Sequence, residues 1–290
     1  MKKDSKIEII SYIFVGIFVL LCIIPFLVVI SISLSSEDSI LKFGYSIIPK
    51  VFSADAYRVL FKNPGTILQS YKITIFITVV GTVLSLFIGS MFAYAISRRD
   101  FKLSSCLSFF IYFTMLFSGG LVPTYMLISK YLNLSNTVWA IILPLCIGQW
   151  NIFLLKSFFK SVPFEIIEAA KIDGASEYSA FFRVVLPIAR SGVATVGVFV
   201  VLTYWNDWYN AMLYLTNPSL YTLQYLLQCI MQRLDFLQTA SRSGMVITDT
   251  APSESLRMAT CVVAAGPMIF VFLIFQRYFV KGITVGAVKG

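Results

Sequence analysis

The sequence predicts an all-α membrane protein with six transmembrane helices, and three observations carry that expectation. Hydrophobic residues fill 58% of the 290 positions against 13% charged, with 26 Phe and 15 Tyr, which exceeds what one water-soluble core can bury. The mean hydropathy of +0.83 points the same way. Apolar runs also recur at the length of about 20 residues that a helical bilayer crossing needs. Six stretches qualify: 8 to 34, 72 to 97, 105 to 129, 136 to 157, 191 to 216 and 258 to 280. An even number of crossings puts both termini on one side.

The first stretch follows Lys2, Lys3 and Lys6. A cleaved secretory signal has an apolar region of roughly 7 to 15 residues. This run is about twice as long, so it reads as an uncleaved anchor. The segment from 35 to 71 carries turn signals at Gly44, Pro49, Pro64 and Gly65. Within it, "SADAYRVLF" predicts a short surface helix capped by Ser53, with Tyr57, Leu60 and Phe61 at helical spacing. Gly81 and Gly89 in the second stretch, and Gly119 with Gly120 in the third, suggest close packing or a kink.

In the fourth stretch Gln149, Trp150 and Asn151 fit two readings, hydrogen bonding between spans or a polar path through them. The fifth ends in "VLTYWNDWYNAMLYL", where Tyr204, Trp205, Asn206, Asp207, Trp208, Tyr209 and Asn210 cluster. A carboxylate in hydrocarbon costs about 2.5 kcal/mol or more unless it faces protein or water. Asp207 therefore points inward toward a solute, or sits in headgroup water within an interfacial aromatic belt. The inward reading has chemistry behind it, because sugars offer hydroxyls to carboxylates and amides and apolar ring faces to aromatic side chains. Between 217 and 257, "NPSLYTLQYLLQCIMQRLDFL" predicts a surface helix and "SRSGMVITDTAPSES" a polar loop. The tail "VKGITVGAVKG" is glycine-rich and basic, either frayed or an extension that touches a partner.

The net charge of +9 does not indicate a nucleic-acid partner. Its basic residues flank spans instead of clustering with exposed aromatics. With the N-terminus cytoplasmic, the inner segments hold Lys2, Lys3, Lys6, Arg98, Arg99, Lys102, Lys156, Lys160, Lys171, Arg183, Arg190, Arg277, Lys281 and Lys289. The "SRRDFK" turn is the clearest part of this bias. The five cysteines show no metal-like spacing and there is no His, so neither a metal site, a His relay nor a cofactor is expected.

The loop from 161 to 187 stands apart. Pro163 suits a first helical turn, Ser161 can cap it, and Glu165 and Glu168 lie toward the positive end of the helix dipole. Gly174 then ends the helix as the residue type most tolerant of a left-handed backbone. From Pro163 to Asp173 the helix measures about 16 Å at 1.5 Å per residue, too short to span. A second helix follows from the cap Ser176 to Pro187. An amphipathic helix at the lipid surface and a docking helix for another protein both fit.

Glu168, Ala169 and Ala170, Gly174 three residues on, and "VVLP" ending at Pro187 resemble the EAA loop of bacterial ABC importer permeases. Val184 stands where that pattern prefers Ile. "AAKIDGAS", "YFVKG", "GAVKG" and the six-span layout are similar to the carbohydrate-uptake, MalG-like branch, and the similarity covers most of the chain. The resemblance implies the type I ABC importer permease fold, a single transmembrane permease domain over 1 to 290, and residues 161 to 187 as a cytoplasmic loop carrying a coupling helix. It implies that Glu168, Ala169, Ala170, Asp173 and Gly174 dock on a cytoplasmic ATPase. Similar "WN(D/E)W" segments in sugar permeases favour Tyr204, Trp205, Asn206, Asp207, Trp208 and Asn210, with Gln149 and Asn151, as the translocation path.

The partners implied are a second permease subunit forming a heterodimer, two ATPase subunits, an extracytoplasmic solute-binding protein, a sugar substrate and the lipid bilayer, and the implied location is the bacterial cytoplasmic (inner) membrane with both termini cytoplasmic. The chain has no Gly-x-x-x-x-Gly-Lys-Ser/Thr phosphate loop of its own and is expected to be non-catalytic. The alternative is a self-contained secondary transporter or channel. Such proteins often show repeated halves and intramembrane ionisable groups, whereas here no repeat is visible and only Asp207 qualifies.

Overall fold

A computed structural model describes residues 5–62, 64–242 and 253–287. Lys2, Lys3, Lys289 and most of the polar loop expected from "SRSGMVITDTAPSES" lie outside the described residues. The described chain is helical throughout, and its β pairing is an isolated bridge between Ser35 and Phe52. Two compact units form: residues 1–67 with 227–267, and residues 68–226 with 268–290.

In the first unit, helix α1 (Ser5–Ser33) is the first expected span, and its apolar side chains stand exposed, Phe14 at 70% and Phe26 at 61%. Only lipid or another protein covers such a surface. Two short helices follow, α2 (Glu37–Phe43) and α3 (Asp55–Leu60). The latter is the expected helix, but Ala54 and not Ser53 holds its cap position, and Ser53 Oγ accepts the Asp55 amide from one residue further out at 3.1 Å. Glu37 closes the unit from a distance. Its carboxylate accepts the backbone amides of Glu254 and Ser255 at 3.0 and 3.2 Å, satisfying the otherwise orphaned first-turn donors of the last helix, α15 (Ser253–Ala287).

Helix α4 (Pro64–Ser97) contains the second expected span but begins eight residues earlier than 72. The reason lies in Pro64: its missing N–H costs nothing in a first turn, so the Pro64–Gly65 pair opens a helix instead of breaking the chain. Three of the remaining spans are not single rods. The stretch expected at 105 to 129 is α5 (Ser104–Leu116) followed by α6 (Leu121–Met126) and a π-helical turn at Leu127–Tyr131, and the two halves meet at 109°. Helix α5 ends at Leu116, and Gly120, at φ +89°, a backbone conformation that an L side chain resists, stands at the cap of α6 where the chain sets off in its new direction.

The fourth span divides into α7 (Trp139–Cys146) and α8 (Gln149–Lys160), bent by 48° at Ile147–Gly148. Next come α9 (Phe164–Ile172) and α10 (Glu177–Ala180), the latter running through a π-helical turn at Phe181–Val185 into α11 (Leu186–Ile188). The fifth span, α12 (Arg190–Trp205), leaves that segment at 82° and ends at Trp205, not at 216. A separate α13 (Tyr209–Tyr214) and then α14 (Leu223–Arg242) follow. Among the described residues three unbroken helices are long and apolar enough to cross a membrane, and up to six spans result if each bent pair counts as one.

The core of the second unit is made where small residues let helices touch. A Cβ on Gly81 would lie 2.5 Å from the Tyr204 ring, and one on Gly192 would lie 2.2 Å from the Phe158 ring, so both positions exclude any side chain. Around these contacts Ile77, Ile141, Leu155 and Val196 are fully buried. Gly89 is an ordinary contact, with Leu155 3.5 Å from its hypothetical Cβ.

Candidate functional site

Helix α9 has two faces because its apolar positions follow the helical repeat. Phe164, Ile167 and Lys171 lie at i, i+3 and i+7 and turn inward, with Ile167 only 4% exposed. The opposite face holds Glu165, Ile166, Glu168, Ala169, Ile172 and Asp173, all exposed. Ile172 is 85% exposed, an unusual position for a branched aliphatic side chain in a helix already anchored on its other face. Among the described residues the carboxylates of Glu168 and Asp173 meet no side-chain partner. The combination offers a partner two small residues for close approach, an apolar tip and two acids.

The ends of α9 differ from the expectation in one respect. Ser161 does not cap it, since its hydroxyl donates back to the Phe158 carbonyl at 2.7 Å and Pro163 occupies the cap position. The other end matches. Gly174 sits at φ +87°, its amide bonds the Lys171 carbonyl at 3.0 Å, and the Ala175 amide bonds the Ala170 carbonyl at 2.9 Å. That pair of bonds is the Schellman ending, which needs a left-handed residue at Gly174. A Cβ there meets nothing within 4 Å, so the requirement is conformational, worth about 1 to 2 kcal/mol against an L residue. Ser176 caps α10 as expected, accepting the Ser179 amide at 3.3 Å.

A group of charges that the sequence did not single out lies behind the inward face. Arg98, one residue past α4, has a side chain 6% exposed and donates to both oxygens of Asp100 at 2.9 and 2.6 Å. Lys171 of α9 reaches Asp100 at 3.4 Å and pairs closely with Glu177 of α10. The Tyr94 hydroxyl donates to Glu177 at 3.2 Å. The Arg98 guanidinium bonded to Asp100 holds that carboxyl down to about 2. The same bond raises the Arg98 pKa against the opposing cost of burial.

The polar residues of the fourth and fifth spans separate into different surroundings. Tyr204 is 1% exposed, shares a hydrogen bond of 3.1 Å with Ser85 and donates to the Ile142 carbonyl at 2.9 Å. Trp205 is 4% exposed and lies against Tyr71, ring centroids 6.4 Å apart. These two are packing residues in this conformation, unlike the exposed Asn206 and Trp208. The Asp207 Oδ1 accepts from Asn210 Nδ2 at 2.8 Å, while its Oδ2 is buried without a hydrogen-bond partner. Burying a carboxylate oxygen unpaired is costly, so a partner group arriving there is favoured.

Gln149 and Asn151 line a cleft of about 560 Å³ with Pro144, Ile147, Gly148 and Thr203. Its wall includes the break between α7 and α8. Non-helical backbone at membrane depth is tolerated where protein or a water-filled cavity satisfies its polar groups. Among the described residues neither Gln149 nor Asn151 makes a side-chain hydrogen bond to another span, so the reading of amides holding spans together is not seen, and both border this cleft.

Comparison with known proteins follows the same lines. Residues 81–285 match the family described as the binding-protein-dependent transport system inner membrane component. The chain is 38% identical over 288 residues to the polygalacturonan/rhamnogalacturonan transport system permease protein YtcP of Bacillus subtilis (strain 168), covering 99% of this chain and 100% of that one. It is 36% identical to Protein LplC of the same organism, over 100% of this chain and 97% of the other. A crystal structure of a bacterial ABC transporter involved in the import of the acidic polysaccharide alginate contains a similar chain, with a TM-score of 0.79, 28% identity and coverage of 96% and 98%.

Proposed function

The chain belongs to the family of binding-protein-dependent transport system inner membrane components, and on that premise we propose that it is one permease subunit of an ATP-driven sugar importer. An oligosaccharide is the substrate class, in keeping with the polysaccharide-derived cargoes named for the permease relative and the alginate transporter. The subunit itself moves solute and breaks no covalent bond. A second, different permease completes the path, an extracytoplasmic binding protein delivers the sugar, and a pair of ATPase subunits supplies the energy.

The observation that carries the coupling role is the two-faced helix α9. Its outward residues Glu168, Ala169 and Asp173, with Ala170 and the turn at Gly174, form the dock for the ATPase on the cytoplasmic side. The basic turn Arg98, Arg99 and Lys102 stands at the same end as α9, which supports cytoplasmic termini under the excess of Lys and Arg on that side. The path itself is drawn from Asn206, Asp207, Trp208 and Asn210 and from the cleft at Gln149 and Asn151. Tyr204 and Trp205 hold that region in shape. Transport is alternating access, in which ATP binding to the partner shifts the population between inward-open and outward-open states.

Reconstitution tests the proposal. Vesicles holding this chain, its permease partner and the ATPase pair import saccharide with ATP and binding protein present, and import stops when any of these is omitted. Uptake by this chain alone, without ATP, contradicts the proposal and identifies a self-contained carrier.

A further inference from the structure

We infer that Arg98, Asp100, Lys171 and Glu177 form the linkage through which α9 moves the second span, with Arg98 as its positioning residue. The inference rests on the coupling role proposed above and specifies how motion leaves the docking helix. Any load placed on the exposed face of α9 has to reach the membrane through the contacts of its inward face.

The apolar part of those contacts runs to α8, α10 and the π-helical turn after it, through Phe159, Val162, Ile167, Ala180 and Phe181, and Tyr94 of α4 packs on the same cluster with its ring 5.0 Å from Phe181. The end of α4 adds ionic contacts to this apolar one. Arg98 stacks its guanidinium over the Phe164 ring of α9 at 5.3 Å and over the Tyr94 ring at 5.8 Å. It grips Asp100 with two parallel bonds and stands 3.9 Å from Glu177. Lys171 bridges Asp100 to Glu177, and so ties α9 to both the α4 turn and α10. One buried cation therefore touches the span, the turn after it, the start of α9 and the start of α10.

Beside these ion pairs the space between α4 and α10 is open, a cavity of about 380 Å³ bounded by Met91, Ala95, Phe101, Tyr178 and the cluster itself. Well-packed interiors transmit displacement because they are nearly incompressible, and an open cavity does not. A push on α10 therefore reaches α4 at the edge of that cavity, through the Tyr94 ring 5.0 Å from Phe181 and through the ion-paired cluster, and the ion pairs fix its direction. The cluster is stiff for reasons of chemistry. A planar guanidinium held by two bonds to one carboxylate has a fixed direction, unlike an ammonium on a flexible stem. Its side chain is 6% exposed while the Asp100 carboxylate it holds is 47% exposed, so the pairing is shielded from solvent on the cation's side.

The test measures sugar imported per ATP hydrolysed by the assembled transporter in vesicles, together with retention of the ATPase on purification. Arg98→Gln keeps the ATPase bound and its hydrolysis within about twofold, while sugar per ATP falls roughly tenfold, within the range that coupling mutations reach. Arg98→Lys recovers part of that loss, because it restores the charge without the paired bonds. Lys171→Gln, at a half-buried position where folding is not at stake, lowers the ratio less. Combining Arg98→Gln with Glu177→Gln adds nothing to the first change, as expected for members of one linkage.

An unchanged ratio in both Arg98→Gln and Lys171→Gln overturns the inference. So does a proportional loss of hydrolysis and uptake in Lys171→Gln, which marks a role in folding or docking alone. If the unmodified chain binds no ATPase, the proposed function fails instead, and the two failures are thereby told apart.

Discussion

Helix α9, proposed as the dock, and the Tyr204–Asn210 segment both gather polar residues at the end of an apolar span, and they resolve in opposite ways. On α9 the helical repeat assigns each residue a side: Ile167 in, Glu168 and Ala169 out. In the second region the helix ends at Trp205, and neighbours diverge, with Tyr204 in the core, Asn206 exposed and Asp207 half-buried with one oxygen unpaired. Regular backbone turns sequence spacing into a surface. A helix end scatters it, and the same residue types then divide between architecture and function.

The contrast is tested first where the effect is largest. Glu168→Lys reverses a charge on the outward face of α9, leaves the protein inserted and abolishes saccharide uptake; unaltered uptake removes the docking role from that face. Tyr204→Ala comes next. It deletes a ring seated against Gly81 and bonded to Ser85 and Ile142, and costs about 3 to 5 kcal/mol of stability, read as thermal unfolding of the detergent-solubilised subunit. A Tyr204→Ala variant that keeps its stability but loses only sugar affinity would return this residue to the path.

Asp207→Asn has a smaller expected effect. The Asn210 bond to Oδ1 survives and the unpaired buried charge disappears, so stability holds while the sugar concentration for half-maximal uptake rises several-fold, on the scale of about 1 kcal/mol per lost hydrogen bond. Unchanged uptake kinetics place Asp207 in the interfacial belt. The smallest effect concerns pH. Asp100 is held at about 2, below its unfolded value of about 3.9, so its pairing with Arg98 stabilises the fold above that unfolded value and is lost only as pH falls toward 2. Import per ATP therefore stays flat from pH 8 to pH 5 on account of this pair, and a titration of the ratio within that window contradicts its assignment.

Much of α9 was legible in the sequence, because Pro163, the Glu168–Ala170 triplet and Gly174 act within about three helix turns of each other. The left-handed residue at Gly174 is a local requirement, and local requirements leave local signatures. The break at Gly120 showed only as a kink or close packing, and the bend at Ile147–Gly148 did not show at all. Hydropathy counts apolar residues and is blind to the direction in which they run. What stayed hidden was pairing at long range. Arg98 and Glu177 are ordinary charges until the fold joins them. Glu37 capping α15 spans 217 residues, and Asn136 accepting the Thr216 amide at 2.7 Å spans 80. No periodicity connects such positions.

The most direct test of the central claim places a photoreactive residue at single positions of α9 in the assembled transporter. Cross-linking to the ATP-hydrolysing subunit is expected from 166, 169 and 172 on the outward face and not from 167, which is 4% exposed. Cross-links that ignore this division, or none from the outward face, contradict the assignment of α9 as the dock.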